Sequence, residues 1–162
     1  MSKKLFALIV IAGVLGLVAC GGNTGSSTGG STAQGSSTIK IDTSSLGDVL
    51  VDGSGRTLYM YSPDGINASS SKCTGPCANL WPKLSGKPKA GAGVDARLIG
   101  ATSGTNQASY AGHLLYYYAK DGSAGDVNGQ GINKIWYVLD NKGTEITKAP
   151  THTGGDNGNS VY

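Results

Sequence analysis

Gly55-Arg56-Thr57-Leu58-Tyr59-Met60-Tyr61-Ser62-Pro63-Asp64-Gly65 returns 57 residues later as Gly112-His113-Leu114-Leu115-Tyr116-Tyr117-Tyr118-Ala119-Lys120-Asp121-Gly122. Gly, Leu, Tyr, Tyr, Asp and Gly coincide at that one offset. Downstream, Asn79-Leu80-Trp81 with Leu84 is echoed by Lys134-Ile135-Trp136 with Leu139, at an offset of 55. Two copies of one unit, about 46–84 and 103–139, are the simplest account. A unit this short cannot bury its own hydrophobic face, so the copies are expected to pack together, face to face.

The local pattern is that of strands. Along Leu58-Tyr59-Met60-Tyr61 successive side chains alternate, so Leu58 and Met60 share one face and Tyr59 and Tyr61 the other; Leu115 and Tyr117 against Tyr116 and Tyr118 repeat this. Turn signals flank each strand: Asp52-Gly53-Ser54-Gly55 and Tyr110-Ala111-Gly112 before, Asp-Gly after. Asp48–Asp52 and Asn106–Tyr110 are the natural hairpin partners. Ile135–Leu139 reads as a strand turning at Asp140-Asn141-Lys142-Gly143 into Thr144–Thr147. Helical signals are confined to Pro76–Trp81, with Pro at the first position and Pro82 as a stop, and to a short turn within Val94–Gly100. The expectation is a small, mainly β domain of two tandem β-hairpin repeats with one or two helical turns.

Composition agrees. The 162 residues allow one compact domain, and 27 of them are Gly, against a usual ~7%. Such Gly content argues against a helical bundle. Charged residues are 14%, and the net charge of +3 includes Lys3 and Lys4 at the start of the chain. No basic patch remains that would suit a nucleic-acid partner.

The amino terminus carries an address. Met1-Ser2-Lys3-Lys4 is a short cationic start, followed by an apolar and Gly run from Leu5 to Val18. That run falls short of the ~20 residues of a membrane-spanning helix and suits a signal-peptide core. It ends in Leu17-Val18-Ala19-Cys20, which resembles the lipobox of bacterial lipoproteins. The resemblance implies cleavage of residues 1–19 and lipidation of Cys20, leaving the membrane as a partner through two or three acyl chains. Gly21 in place of Asp would, in a two-membrane cell, not signal retention at the inner membrane. In a one-membrane cell the anchor lies in the plasma membrane.

Gly21–Thr38 (GGNTGSSTGGSTAQGSST) has 15 Gly, Ser or Thr among 18 residues and no charge. It cannot bury enough apolar surface to order itself, so residues 20–38 are expected to be the anchor and a flexible tether with a reach of about 23 Å. Thr151–Tyr162 is again polar and Gly-rich and reads as a loose tail, leaving 39–150 as the folded unit.

Tyr59-x-Tyr61-x-x-Asp64 and Tyr116-x-Tyr118-x-x-Asp121 together resemble the bacterial lipoprotein family known as the secreted repeat of unknown function, with its tandem Tyr-x-(Phe/Trp/Tyr)-x-x-Asp motif. Further matches are Cys73-Thr74-Gly75-Pro76-Cys77 running into Trp81-Pro82, Gly112-His113, and Gly125-Asp126-Val127-Asn128-Gly129-Gln130-Gly131 leading to Trp136-Tyr137. The likeness covers about Leu46 to Leu139. Leu114 departs from it, where the family commonly has Pro. The family has no established activity, so the resemblance implies a relative and a setting in the cell envelope.

The residues that could carry chemistry are few. With Cys20 acylated, Cys73 and Cys77 are the remaining thiols, and outside the cytoplasm such a pair becomes a disulfide; redox or copper use is the alternative. His113, His152 and Met60 could contribute to a copper or haem site, although His152 lies in the tail and Met60 on a core face. Asp126-x-Asn128-x-Gln130-Gly131 looks like the first half of a calcium loop, but its twelfth position is Tyr137, not Glu. The Tyr and Asp of each repeat could bond phenol to carboxylate and pin the strand to its own turn, or present an aromatic face to a ligand. Trp81 and Trp136 are expected in the repeat core. Glu145 is the single Glu, so paired Glu carboxylates are excluded, and no Gly-x-Ser-x-Gly elbow occurs. No catalytic residue, metal or cofactor is expected. The leading expectation is a lipid-anchored envelope module that binds an envelope protein or ligand. The alternative is a redox or metal-handling accessory near a respiratory chain, using Cys73, Cys77 and His113.

Overall fold

In the computed structural model of the chain, residues 38–150 are described. The expected leader, Cys20, the expected tether up to residue 37 and the expected tail from Thr151 lie outside the described residues. Strands dominate: β1 (Thr38–Ser44), β2 (Gly47–Asp52), β3 (Tyr59–Tyr61), β4 (Lys89–Ala90), β5 (Ile99–Ala101), β6 (Ala108–Tyr110), β7 (His113–Leu114) and β8 (Trp136–Val138). Among the described residues the single α-helix, α1 (Pro76–Leu80), begins at its proline as its sequence requires. The turn expected within Val94–Gly100 is a 3₁₀ turn over Ala96–Leu98, capped by Asp95, whose side chain accepts from Arg97 N–H.

The centre of the domain is a side-by-side pairing of the two motif strands. Tyr59 N–H donates to Tyr116 C=O at 2.8 Å and Tyr116 N–H returns to Tyr59 C=O at 2.9 Å. On one side β3 pairs antiparallel with β8, Tyr59 facing Val138 and Tyr61 facing Trp136. On the other, Tyr116 faces Lys83, and Tyr117 N–H donates to Pro82 C=O at 2.8 Å. The order across the sheet is thus 82–84, 115–117, β3, β8. Each motif strand pairs with the stretch that begins at or just after the Trp of the other repeat, so the repeats exchange strands. The expectation that the copies pack together holds, but they meet edge to edge through the backbone. The physical reason is that both faces of the motif strands are apolar and need covering, which leaves the strand edges to join the copies.

Both faces are buried, as the alternation dictates. One core cluster gathers Tyr59, Tyr116, Tyr118, Trp81, Trp136 and Val138. The other gathers Leu58, Met60, Leu115, Tyr117, Leu84 and Leu139. Leu58 and Leu115 are fully shielded from solvent, and so is Tyr59.

The hairpin expected from Asn106–Tyr110 forms: β6 pairs with β7 across a turn at Ala111 and Gly112, whose φ values are +49° and +83°. Positive φ at both central residues matches the twist of a tight hairpin. The hairpin expected from Asp48–Asp52 forms as well, and β2 has a second partner that the sequence does not announce. β2 spends its length on β1, from Ile39 opposite Asp52 to Ser44 opposite Gly47. On its other edge Val51 bridges Thr57, Asp52 N–H donates to Arg56 C=O at 2.8 Å and Leu58 N–H donates to Leu50 C=O at 3.0 Å. β1 itself, next to the Gly/Ser/Thr segment, has no counterpart among the sequence expectations. β8 and its turn into Glu145 form as read, with Asp140 N–H on Thr144 C=O at 2.9 Å.

Candidate functional site

The motif residues converge at the contact between the repeats. Tyr59 Oη donates to Asp121 Oδ2 at 2.7 Å, and Tyr116 Oη donates to Asp64 Oδ2. Each phenol therefore reaches the carboxylate of the other repeat, not that of its own turn. The expected phenol–carboxylate bond is present but exchanged, because the central strand pair runs antiparallel and carries each Tyr toward its neighbour's Asp-Gly turn. The other oxygen of each carboxylate accepts a backbone N–H: Asp64 Oδ1 from Lys72 at 2.7 Å, Asp121 Oδ1 from Asn128 at 3.1 Å. Gly129 N–H donates to Tyr59 Oη at 3.2 Å, and Tyr116 Oη meets Ser71 Oγ at 2.7 Å. Burial, and then the bonded carboxylate, pushes both phenols well above their ordinary pKa. Burial also raises the Asp121 carboxyl, with the Tyr59 and Asn128 hydrogen bonds acting against it.

Beside these pairs, four rings stack. Tyr61 lies on Trp136 at 4.3 Å between centroids, Trp136 on Trp81 at 3.8 Å and 1° from parallel, and Trp81 against Tyr118 at 4.4 Å. Tyr59 meets Trp81 edge-on at 5.4 Å, and Tyr116 meets Trp136 edge-on at 5.3 Å. These five contacts map onto one another under exchange of the repeats, with the Trp pair at the pseudo-twofold centre; a looser edge contact of Tyr59 with Tyr118, at 6.4 Å, stands outside the symmetry. Gly129 sits against this cluster so closely that a Cβ there would lie 2.7 Å from Trp81 and 2.9 Å from the Tyr59 ring. The rings are core, since Trp81 and Trp136 are only 3% and 2% exposed and cover each other's faces.

This duplicated constellation decides the kinship. The model of the secreted repeat of unknown function matches residues 40–84 and 98–140. The chain belongs to that family. The secreted-repeat family's description places the domain outside the cytoplasm. No curated protein and no solved structure matches the chain.

The remaining candidates scatter. Cys73 and Cys77 are joined by a disulfide in this secreted-repeat domain, closing the bend that leads into α1. Cys73 is buried and Cys77 partly exposed. Chain-entropy arguments give a loop this short about 2 kcal/mol. Cys73→Ser with Cys77→Ser should therefore lower the urea midpoint modestly and leave the far-UV circular dichroism unchanged.

Met60 is buried in the second cluster, and His152 lies outside the described residues. Among the described residues no group of three or more His, Cys, Asp or Glu side chains gathers where a metal ion could sit. The calcium-like run serves as struts. Asp126 Oδ2 accepts from Gly122 and Ser123 N–H at 3.0 and 2.9 Å; Gln130 Oε1 accepts from Val138 N–H at 3.0 Å, and its Nε2 donates to Ile146 C=O.

His113 opens β7, and its Nδ1 is shielded from water without a hydrogen-bond partner. Burial holds the imidazole below its ordinary pKa, with Glu145 pulling the other way. The unfolded chain binds that proton more readily, so stability carried by neutral His113 is present above about pH 6.5 and lost as pH falls through the folded value. Thermal melts should show a lower Tm at pH 5 than at pH 7, with a flatter slope for His113→Gln.

One side-chain group escaped the sequence reading. Gln107 is fully buried, donates Nε2 to Leu115 C=O at 3.2 Å, and leaves Oε1 without a partner. It borders a pocket of about 280 Å³ shared with Tyr116, Trp81, Cys73 and Lys83.

Proposed function

We propose that the chain is a lipid-anchored, non-catalytic binding module of the cell envelope: residues 1–19 are removed, Cys20 is acylated, and 20–38 tether the domain. The observation that carries this reading is the reciprocal burial of the motif. Tyr59 and Tyr116 are 0% and 1% exposed and are bonded to Asp121 and Asp64. Groups that satisfy one another in a closed core are poorly placed to attack a substrate, so the paired Tyr and Asp of the motif build the body of the domain. The lipobox-like Leu17-Val18-Ala19-Cys20 and the uncharged segment after it support the anchor. Where the cell has two membranes, the outer one is the proposed site.

Radiolabelled palmitate tests the anchor. The wild-type chain should take the label and sediment with membranes, and Cys20→Ala should do neither; an unlabelled, soluble wild type contradicts it. A second reading, a thiol-redox accessory, is favoured by the disulfide itself, whose Cys73 lines the Trp81 pocket and whose Cys77 is partly exposed. It requires that loss of Cys73 and Cys77 abolish function with the fold intact. The binding module requires that function follow stability instead.

A further inference from the structure

The pseudo-twofold supplies an internal control for every residue at the centre. Backbone pairing fixes which residues are equivalent. Leu50 N–H donates to Leu139 C=O as Ala108 N–H donates to Leu84 C=O, so Gln107 corresponds to Val49. Val138 faces Tyr59 as Lys83 faces Tyr116, so Lys83 corresponds to Val138. Asn128 N–H bonds Asp121 as Lys72 N–H bonds Asp64, so Ser71 corresponds to Val127. The second set is three valines, exposed 0%, 0% and 8%. The fold is thus closed by an apolar wall on the Tyr59 side of the pseudo-twofold, while the Tyr116 side holds Gln107, Lys83 and Ser71 around a pocket, each set drawing on both repeats. Ser71 is engaged by Cys73 N–H at 2.8 Å and by Tyr116 Oη at 2.7 Å, whereas the twin positions show that the fold closes without an amide at Gln107 or an amine at Lys83.

We propose that this pocket is a binding site for a small planar aromatic molecule bearing an N–H or O–H donor at its edge. Its volume of about 280 Å³ is at the small end for ligand sites, which suits one or two fused rings. Trp81, Pro82 and Tyr116 supply apolar and aromatic wall. Gln107 supplies the polar anchor: its residue is 0% exposed and its Oε1 is unpaired, an arrangement proteins avoid unless a partner arrives. Its Nε2 is held by Leu115 C=O, which fixes the amide. Lys83 at the rim is engaged with Thr105 C=O at 2.9 Å. Ala78, exposed on α1, also borders the pocket. The proposal deepens the binding-module reading and rests on it, but not on the lipid anchor.

Indole and its donor-free isostere benzofuran are the probes, titrated into the ¹⁵N-labelled mature chain carrying Cys20→Ser and followed by amide and indole N–H shifts. The expected result is saturable shifts confined to Ser71, Trp81, Lys83 and Gln107. Indole should bind about tenfold more tightly than benzofuran, the discrimination expected when a buried acceptor is left unpaired. Gln107→Val, which installs the residue of the other half, should erase that preference, and Ala78→Trp should block both probes with the fold retained. Absence of saturable shifts, shifts scattered over the surface, or equal affinities for the two probes would overturn the proposal, the last because apolar partitioning alone would explain it. Loss of palmitate labelling with indole binding intact would sink the anchor and leave this site standing.

Discussion

Tyr59→Phe is expected to destabilise the secreted-repeat domain by about 2–4 kcal/mol, a large share of the roughly 5–15 kcal/mol that holds a domain of this kind. The change removes one oxygen and adds no bulk, so packing is kept. It strands two groups, Asp121 Oδ2, which accepts from the hydroxyl at 2.7 Å, and Gly129 N–H, which donates to it at 3.2 Å. Each unsatisfied buried group costs about 1–3 kcal/mol. Urea unfolding should show a lower midpoint with an unchanged slope, because the same surface is exposed. The transition should stay single, since Asp121 belongs to one repeat and Tyr59 to the other. Two separate transitions would mean that the repeats fold independently.

Trp81→Ala should cost more, about 3–5 kcal/mol, the range for truncating a large buried aromatic. It removes the 3.8 Å stack with Trp136, the 4.4 Å contact with Tyr118 and the edge contact with Tyr59 at once. Trp136→Ala loses the equivalent partners, Trp81, Tyr61 and Tyr116. The pseudo-twofold therefore predicts two similar losses, within about 1 kcal/mol, measurable by urea or thermal unfolding. A loss confined to one of them would show that the ring stack is not shared between the halves.

What was legible in the sequence is instructive. Alternation placed Leu58 and Met60 opposite Tyr59 and Tyr61, and the two core clusters divide along that line. The Asp-Gly turns and the proline at the start of α1 were readable because those residues fix backbone geometry locally. The exchange between repeats was not readable. A repeat states what each half contains, and the choice of partner depends on long-range strand pairing that no local propensity encodes.

Gln107 escaped for a related reason. The offset between equivalent residues drifts along the repeat: 58 for Leu50 and Ala108, 57 for Tyr59 and Tyr116, 56 for Lys72 and Asn128, 55 for Trp81 and Trp136. At a fixed offset of 57, Gln107 aligns with Leu50 on the wrong face, since one residue of slip in a strand reverses the side-chain direction. The slip comes from the turns before the motif strands: Asp52 to Thr57 is one residue longer than its counterpart ahead of Leu114. β1 has β-formers in alternation at Ile39, Ile41 and Thr43, but Thr38 continues a low-complexity run that hides where the strand begins, and its pairing with β2 turns on the short Ser44–Gly47 connection.

A double-mutant cycle between the repeats bears most directly on the exchange. Tyr59→Phe combined with Asp121→Asn, measured by urea unfolding against the single variants, should give a coupling of about 1–3 kcal/mol, while Tyr59→Phe with Asp64→Asn should be additive within about 0.5 kcal/mol. Coupling of Tyr59 to Asp64 in its own repeat, with none to Asp121, would contradict the interlocked pair of repeats.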